Sequence, residues 1–423
     1  MTVGIFFAIM AAKIIWGEYM RQQKYLSVTA MIAYLAYIGM FIPLSTDLYL
    51  PALPEMGNYF SASEFLVGLT LTIFFFTFAV SMVLFGPLSD KYGRRPILIF
   101  GAALYTAASF SCAVSSNIYF LLAGRFFQAV GSGAVITVAT ALIKDCFRGK
   151  VMRKILAITQ ALGVIAPMVA PLVGGILLTF TDWRGSFYLL TVLGLINLIV
   201  AFLFCETLPE HKRYRGGILN SLTLLAQVAR KKYFMAVLIM FAFLSKPYMA
   251  YLSASSFIYV EFFSLTAQEY SYFFAVNSAA SIAGPILYLK LKNNLSNVSM
   301  LKLSFFVALT SSILVLSVGQ SSAVTFLLAF LPFTMIGAVV RPFSMEILLL
   351  ESKENVGTAA SVINFVPTLF GSLGMMLGTL PWGNFIDGLG LIMTTATTLS
   401  IVLWLLIRSG KFGAARSGAS DLT

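Results

Sequence analysis

Four charged side chains stand inside long apolar runs, where an ionised group is costly unless it faces water or a partner. Asp47 lies in Pro43-Leu44-Ser45-Thr46-Asp47-Leu48-Tyr49-Leu50-Pro51-Ala52-Leu53-Pro54. Low dielectric penalises its charged form, which suits a reversible proton carrier near neutral pH. Because Asp47 falls late in its run, capping a helix at the outer interface is the alternative role. Arg125, in Gly124-Arg125-Phe126-Phe127-Gln128-Ala129, needs a cavity or an acidic partner, or else snorkels to the interface. Lys246 precedes Pro247, and pairs with Asp47 or selects an anionic or zwitterionic substrate. Arg341 precedes Pro342, and either forms a gate pair with Glu346 or snorkels. Lys246, Gln128, Asn277 and Arg341 are the candidate substrate-cavity residues. Phe74, Phe75, Phe76 and Phe78 read as core or lipid-facing residues, and Glu261 and Glu269 as an outer loop between the seventh and eighth runs.

Other chemistry finds little support. One histidine, His211, leaves no Ser/His/Asp set, and Cys112, Cys146 and Cys205 lack metal or redox spacing. No G-x-x-x-x-G-K-[ST] loop is present, so no nucleotide motor is visible. An enzyme would want a nucleophile and base or a carboxylate cluster, and none is grouped here.

The elements that must position these residues are helices in a bilayer. Of 423 residues, 59% are hydrophobic and 10% charged, against roughly 25% charged in a soluble domain. Apolar runs long enough to span recur around Ile38, Phe75, Leu104, Val130, Pro167, Leu195, Phe243, Ala280, Leu309, Phe333, Gly371 and Thr398. The net charge of +12 does not point to nucleic acid, since the basic residues form short clusters between these runs. All but Arg125, Arg184, Lys246 and Arg341 of the 28 lysines and arginines fall on one side of the resulting topology. The positive-inside rule therefore predicts both termini in the cytoplasm. The expected organisation is a cytoplasmic segment 1–27, a six-helix bundle 28–206, a polar linker 207–232, a second bundle 233–408 and a tail 409–423. Phe85-Gly86-Pro87-Leu88 and Ala283-Gly284-Pro285-Ile286, 198 residues apart, mark an internal repeat of the kind that places substrate between two halves. Val3 to Trp16 is apolar but too short to span, and an over-extended start explains it more simply than an amphipathic segment.

Two further motifs are specific. Gly86-Pro87-Leu88-Ser89-Asp90-Lys91-Tyr92-Gly93-Arg94-Arg95-Pro96 joins the second and third runs. There Gly86 allows close helix approach, Gly93 a tight turn, and Asp90 with Arg94 a charge-assisted pair. In the fifth run, Gly163, Pro167, Pro171 and Gly175 recur every four residues beside Ala166, Ala170 and Gly174, giving one small, bendable face. The loop resembles the G-x-L-x-D-[RK]-x-G-R-[RK] signature of the major facilitator superfamily. That resemblance implies a cytoplasmic latch of Gly86, Asp90, Gly93 and Arg94, with Asp145 joining the charge network; Arg95 serves equally well as a topogenic charge. Arg125 to Gly131 resembles the family's R-x-x-Q-G motif with Ala129 in place of the first glycine, which implies a cavity-facing arginine linked to proton movement. The fifth run is similar to the antiporter motif G-x-x-x-G-P-x-x-G-G, with Ala170-Pro171 for Gly-Pro before Gly174-Gly175. The run around Asp47 resembles the P-x-x-D-x-Y-L-P-A-L-P signature of the bicyclomycin and chloramphenicol resistance subfamily, and Glu206-Thr207-Leu208-Pro209-Glu210 also fits it.

The resemblance implies an all-α integral membrane fold of twelve transmembrane helices in two pseudo-symmetric six-helix bundles. It further implies a monomer in a bacterial inner membrane, with lipid, protons and a small molecule as partners, no cofactor and no metal. The expected function is proton-coupled antiport exporting small hydrophobic drugs or metabolites by alternating access. Protonation of Asp47 would weaken its hold on Arg125 or on substrate. The alternative is an importer or exporter of a small organic anion or nutrient.

Overall fold

The computed structural model describes residues 23–214, 216, 218–351 and 356–412. In hydrocarbon every backbone polar group must be satisfied within its own segment, so long apolar runs fold as helices. Among the described residues, twelve helical segments are long and apolar enough to cross a membrane. They are Val28–Phe60, Glu64–Tyr92, Arg94–Ala113, Ile118–Cys146, Gly149–Leu177, Arg184–Leu203, Lys232–Phe262, Ala267–Asn294, Asn297–Val318, Ala323–Glu351, Thr358–Gly378 and Phe385–Arg408; they are spans one to twelve below. Each contains the centre read from the sequence. A further helix, Ile218–Ala229, lies in the linker. The apolar start, Val3 to Trp16, and the tail beyond Phe412 lie outside the described residues.

Side-chain caps set the starts of several spans. Ser63, Asn117, Ser296 and Asn384 accept from the first turns of spans two, four, nine and twelve. Thr266 and Glu269 form a reciprocal capping box at span eight. Glu269 therefore belongs to a helix start, and Glu261 to the π-helical last turn of span seven, rather than to a loop between them.

Span one is broken, with segments Val28–Gly39 and Phe41–Asp47, a 3-10 turn Leu50–Ala52, and Leu53–Phe60. Pro43, Pro51 and Pro54 remove backbone donors along this stretch. Within each half, span three packs on spans four and six, and span nine on spans ten and twelve. The halves meet chiefly where span two lies on span eleven and span five on span eight, a pairing that exchanges with itself when each span number shifts by six.

Those inter-half contacts gather at the end away from the basic loops, here the far end. A Cβ added to Gly68 of span two would meet Thr379 after span eleven, and one added to Gly175 of span five would meet Ser271 of span eight. The turn Leu50–Ala52 packs on spans seven and eight. Nearer the basic end, Gln160 and Ala161 of span five and Ala279 and Ala283 of span eight are exposed. The halves are thus closed on each other at the far end.

Candidate functional site

Arg125 is fully buried in span four. Its Nε donates to the Thr70 carbonyl at 3.3 Å and its Nη1 to the Ser45 carbonyl at 3.0 Å and to Gln128 Oε1. The guanidinium faces the Phe74 ring at 4.3 Å and the Tyr49 ring at 4.7 Å, contacts worth up to about 2 kcal/mol each when desolvated. Gln128 is held in turn by its Nε2 donating to Ser109 Oγ at 2.7 Å. Among the described residues no carboxylate lies within ion-pair distance of Arg125, and its Nη2 has no hydrogen-bond partner. A guanidinium stays protonated in proteins, so neutral dipoles and ring faces alone hold this charge.

Asp47 ends the second segment of span one, where the helix breaks. It keeps only 4% of its surface exposed, and its Oδ1 accepts from Thr46 Oγ1 at 2.8 Å. The span runs on to Phe60, so Asp47 sits inside the apolar thickness and is no interface cap. Tyr248 of span seven and Tyr270 of span eight, from the other half, lie within its electrostatic range. Asp47 therefore faces the second half while Arg125 is enclosed within the first. The expected hold of Asp47 on Arg125 is absent; the link runs through the backbone, since Arg125 grips the carbonyl of Ser45, two residues before Asp47.

The other candidate cavity residues separate. Gln128 has no exposed surface and orients Arg125 instead of lining a cavity. Asn277 is equally buried, its Oδ1 accepting from Thr334 Oγ1 at 2.8 Å, which ties span eight to span ten. Lys246 does not pair with Asp47. Its stem packs against Gly374 of span eleven and its ammonium lies 5.8 Å from the Phe243 ring centroid. Arg341 is exposed in span ten and lies within electrostatic range of Tyr248. It forms no gate pair with Glu346, whose carboxylate pairs with Lys292 at 2.8 Å and accepts from the Tyr288 hydroxyl.

The loop motif assembles as a compact network. Arg94 Nη1 lies 2.6 Å from Asp90 Oδ1 and donates to Ser89 Oγ at 2.7 Å, and its Nε lies 3.1 Å from Asp145 Oδ2. Thr207 donates to the same Asp145 oxygen at 3.2 Å. Gly93 adopts φ +102, and a Cβ there would meet the Glu206 carboxylate. Glu206 accepts from the backbone N–H groups of Arg94 at 3.0 Å and Arg95 at 3.1 Å, placing negative charge on the N-terminus of span three. Gly86 leaves room beside Thr137, whose Cγ2 an added Cβ would meet only at 3.9 Å. Arg95 also donates to the Phe202 carbonyl at 3.0 Å, so it braces span six as well as adding loop charge.

The small face of span five packs against span one and span eight. A Cβ on Gly163 would stand 3.3 Å from the Gly39 carbonyl, and one on Gly174 would strike the Leu48 carbonyl oxygen. Ala166, Ala170 and Pro171 are buried along this face, while Pro167 is partly exposed.

Sequence reasoning missed Glu206, Phe74, Tyr49 and Tyr248 as site residues. Glu206 was legible only as part of a short motif, and the three rings carry no spacing that sets them apart from core aromatics. Among the described residues, no three His, Cys, Asp or Glu side chains gather as metal ligands.

Comparison with known proteins supplies the wider context. The model of the Major Facilitator Superfamily matches residues 35–379. The chain is 28% identical over 353 residues to the uncharacterized MFS-type transporter YdgK of Bacillus subtilis, covering 82% of this chain and 87% of that protein. It is 25% identical over 296 residues to a bicyclomycin resistance protein homolog of Haemophilus influenzae, covering 69% and 73%. The crystal structure of a D-xylose-proton symporter superposes with a TM-score of 0.70 at 14% identity over 92% of this chain and 98% of that one, a likeness of fold alone.

Proposed function

This chain belongs to the major facilitator superfamily, a multi-pass membrane transporter and not an enzyme, and we propose that it is a proton-coupled antiporter exporting small hydrophobic drugs or metabolites. The observation that carries the proposal is Asp47: a carboxylate buried in the break of span one, facing the opposite half, with no cation paired to it among the described residues. An unpaired carboxylate inside a membrane is stabilised by taking up a proton or a cationic group. A residue that exchanges one for the other while facing two moving halves meets the needs of coupling. Arg125 then serves as a fixed positive neighbour that holds the span-one backbone in place. The tight face of span five against spans one and eight supports a hinge at the far end, and the bicyclomycin resistance relative supports export.

The chain would work by alternating access as a monomer in a bacterial inner membrane, with both termini in the cytoplasm and the proton gradient as its energy source. The Arg94–Asp90–Asp145 network would re-form and break as the basic end closes and opens. The direct test uses everted bacterial vesicles energised to acidify their interior, with chloramphenicol and bicyclomycin as probes. An exporter of this kind releases interior protons when drug is added, and vesicles lacking the protein do not. Proton movement in the opposite direction would make it an importer.

A further inference from the structure

Two opposite charges, the buried Asp47 and the exposed Arg341, have no charged partner among the described residues. Asp47 is contributed by span one and Arg341 by span ten. No ion pair joins them, and among the described residues no other charged group pairs with either. Tyr248 of span seven lies within electrostatic range of both. Spans seven and ten pack together, and the nearness of Arg341 to Tyr248 sets it toward span seven. Gly337, one turn earlier on the same face of the helix, has open space where a Cβ would stand, with no atom within 4 Å.

Snorkelling does not account for Arg341. Span ten runs from the far end at Ala323 to the basic end at Glu351. Ten residues of helix separate Arg341 from Glu351, about 15 Å at 1.5 Å per residue. Helical side chains lean toward their helix N-terminus, so that of Arg341 leans toward the membrane centre and away from the nearer interface. The acidic residue one to two turns further on, Glu346, is already committed to Lys292 and Tyr288. A guanidinium exposed in such a place presents its planar donor fork to whatever enters, and that geometry suits a carboxylate or another planar oxyanion.

Resting on the antiporter reading above, we propose that the transported molecule is a zwitterion whose anionic group docks on Arg341 and whose cationic group docks on Asp47. The ligand bridges the two halves beside Tyr248, whose ring offers an apolar face to the body of the molecule. A cationic group on Asp47 takes the place that a proton takes when the site is empty, so the same contact provides both recognition and exchange. An anion alone would lack a partner for Asp47, and a cation alone would leave Arg341 unpaired.

The test is counterflow in proteoliposomes holding the full chain, with radiolabelled phenylalanine outside and unlabelled competitor inside. Phenylalanine, phenethylamine and 3-phenylpropanoate share one ring and differ in carrying both charges, the positive one or the negative one. Unlabelled phenylalanine is expected to drive labelled uptake at least tenfold better than either single-charge analogue. R341Q should erase the preference for phenylalanine over phenethylamine, and D47N the preference over 3-phenylpropanoate. Should R341Q fail to fold, R341K carries the test, because a point charge replaces the fork and a severalfold loss of phenylalanine counterflow is expected. Equal performance by a single-charge analogue, no counterflow of phenylalanine, or unchanged counterflow in a folded Arg341 variant would overturn the proposal. Counterflow needs no proton gradient, so failure of coupling alone leaves this result intact. Chloramphenicol counterflow without phenylalanine counterflow would sink the zwitterion and leave the exporter standing.

Discussion

Gly174 is the position where a single added carbon should be felt most. A Cβ there would overlap the Leu48 carbonyl oxygen and stand 2.9 Å from its carbon, where ordinary contact begins at 3.4 Å. Both partners are backbone, one in span five and one beside the break in span one, so neither can rotate away. Relief requires the two spans to part by at least about 0.5 Å measured on the carbon alone, and more on the oxygen. Overpacking of this kind costs roughly 1–3 kcal/mol. Gly337 is the control: it too lies inside a helix, although Gly174 is in the last turn of its own, and nothing stands within 4 Å of an added Cβ. Replacing a helix-interior glycine by alanine gains roughly 0.5–1 kcal/mol through backbone entropy. That gain is common to both positions, so the difference between G174A and G337A isolates the clash. Thermal unfolding of the purified protein in detergent is the assay. G337A should melt at or above the wild-type midpoint and G174A several degrees below it. Coincident midpoints would refute the close backbone packing of span five on span one.

Other expectations follow from the same contacts. Glu206→Ala removes the acceptor of the Arg94 and Arg95 amides and should lower stability by roughly 1–2 kcal/mol, as loss of a helix N-cap does. Glu206→Gln keeps an acceptor and should lose less, as read by the same thermal midpoints. Lys292→Glu sets two acidic groups together at the basic end, and the exchange K292E/E346K should recover stability. The coupling in that double-mutant cycle should be modest, roughly 0.5–1 kcal/mol, because both side chains are about a third exposed, at 31% and 38%. Thr334→Val strips the donor from Asn277 Oδ1 inside the second half and should cost about 1 kcal/mol.

The division of labour between sequence and structure has physical causes. Span count was readable because apolar length is a one-dimensional property, and each predicted centre falls inside a helix. The break at Asp47 was readable only in part, since Pro43, Pro51 and Pro54 announce irregular backbone without saying where the helix stops. Helix rotation was not readable. Spans apolar on every side carry no periodic signal, which is why Gln128 and Asn277 were expected at a cavity wall and are in fact buried between helices. Partner choice was equally hidden. Glu346 lies five residues from Arg341 in sequence, yet Lys292 and Tyr288, from another helix, hold it. These two sit 198 residues after Arg94 and Asp90, the spacing that separates Gly284 from Gly86. The repeat noticed in a Gly-Pro pair thus extends to the charged cluster at the basic end, and a comparison of the halves at that offset would have found it.

The central claim is that Asp47 carries the coupling proton, and uphill efflux measures it most directly. In cells or everted vesicles holding equal amounts of membrane-inserted protein, wild type should move chloramphenicol against its gradient. Asp47→Asn, which cannot exchange a proton, should abolish uphill movement while the protein stays in the membrane. An Asp47→Asn protein that still exports against a gradient would contradict the account.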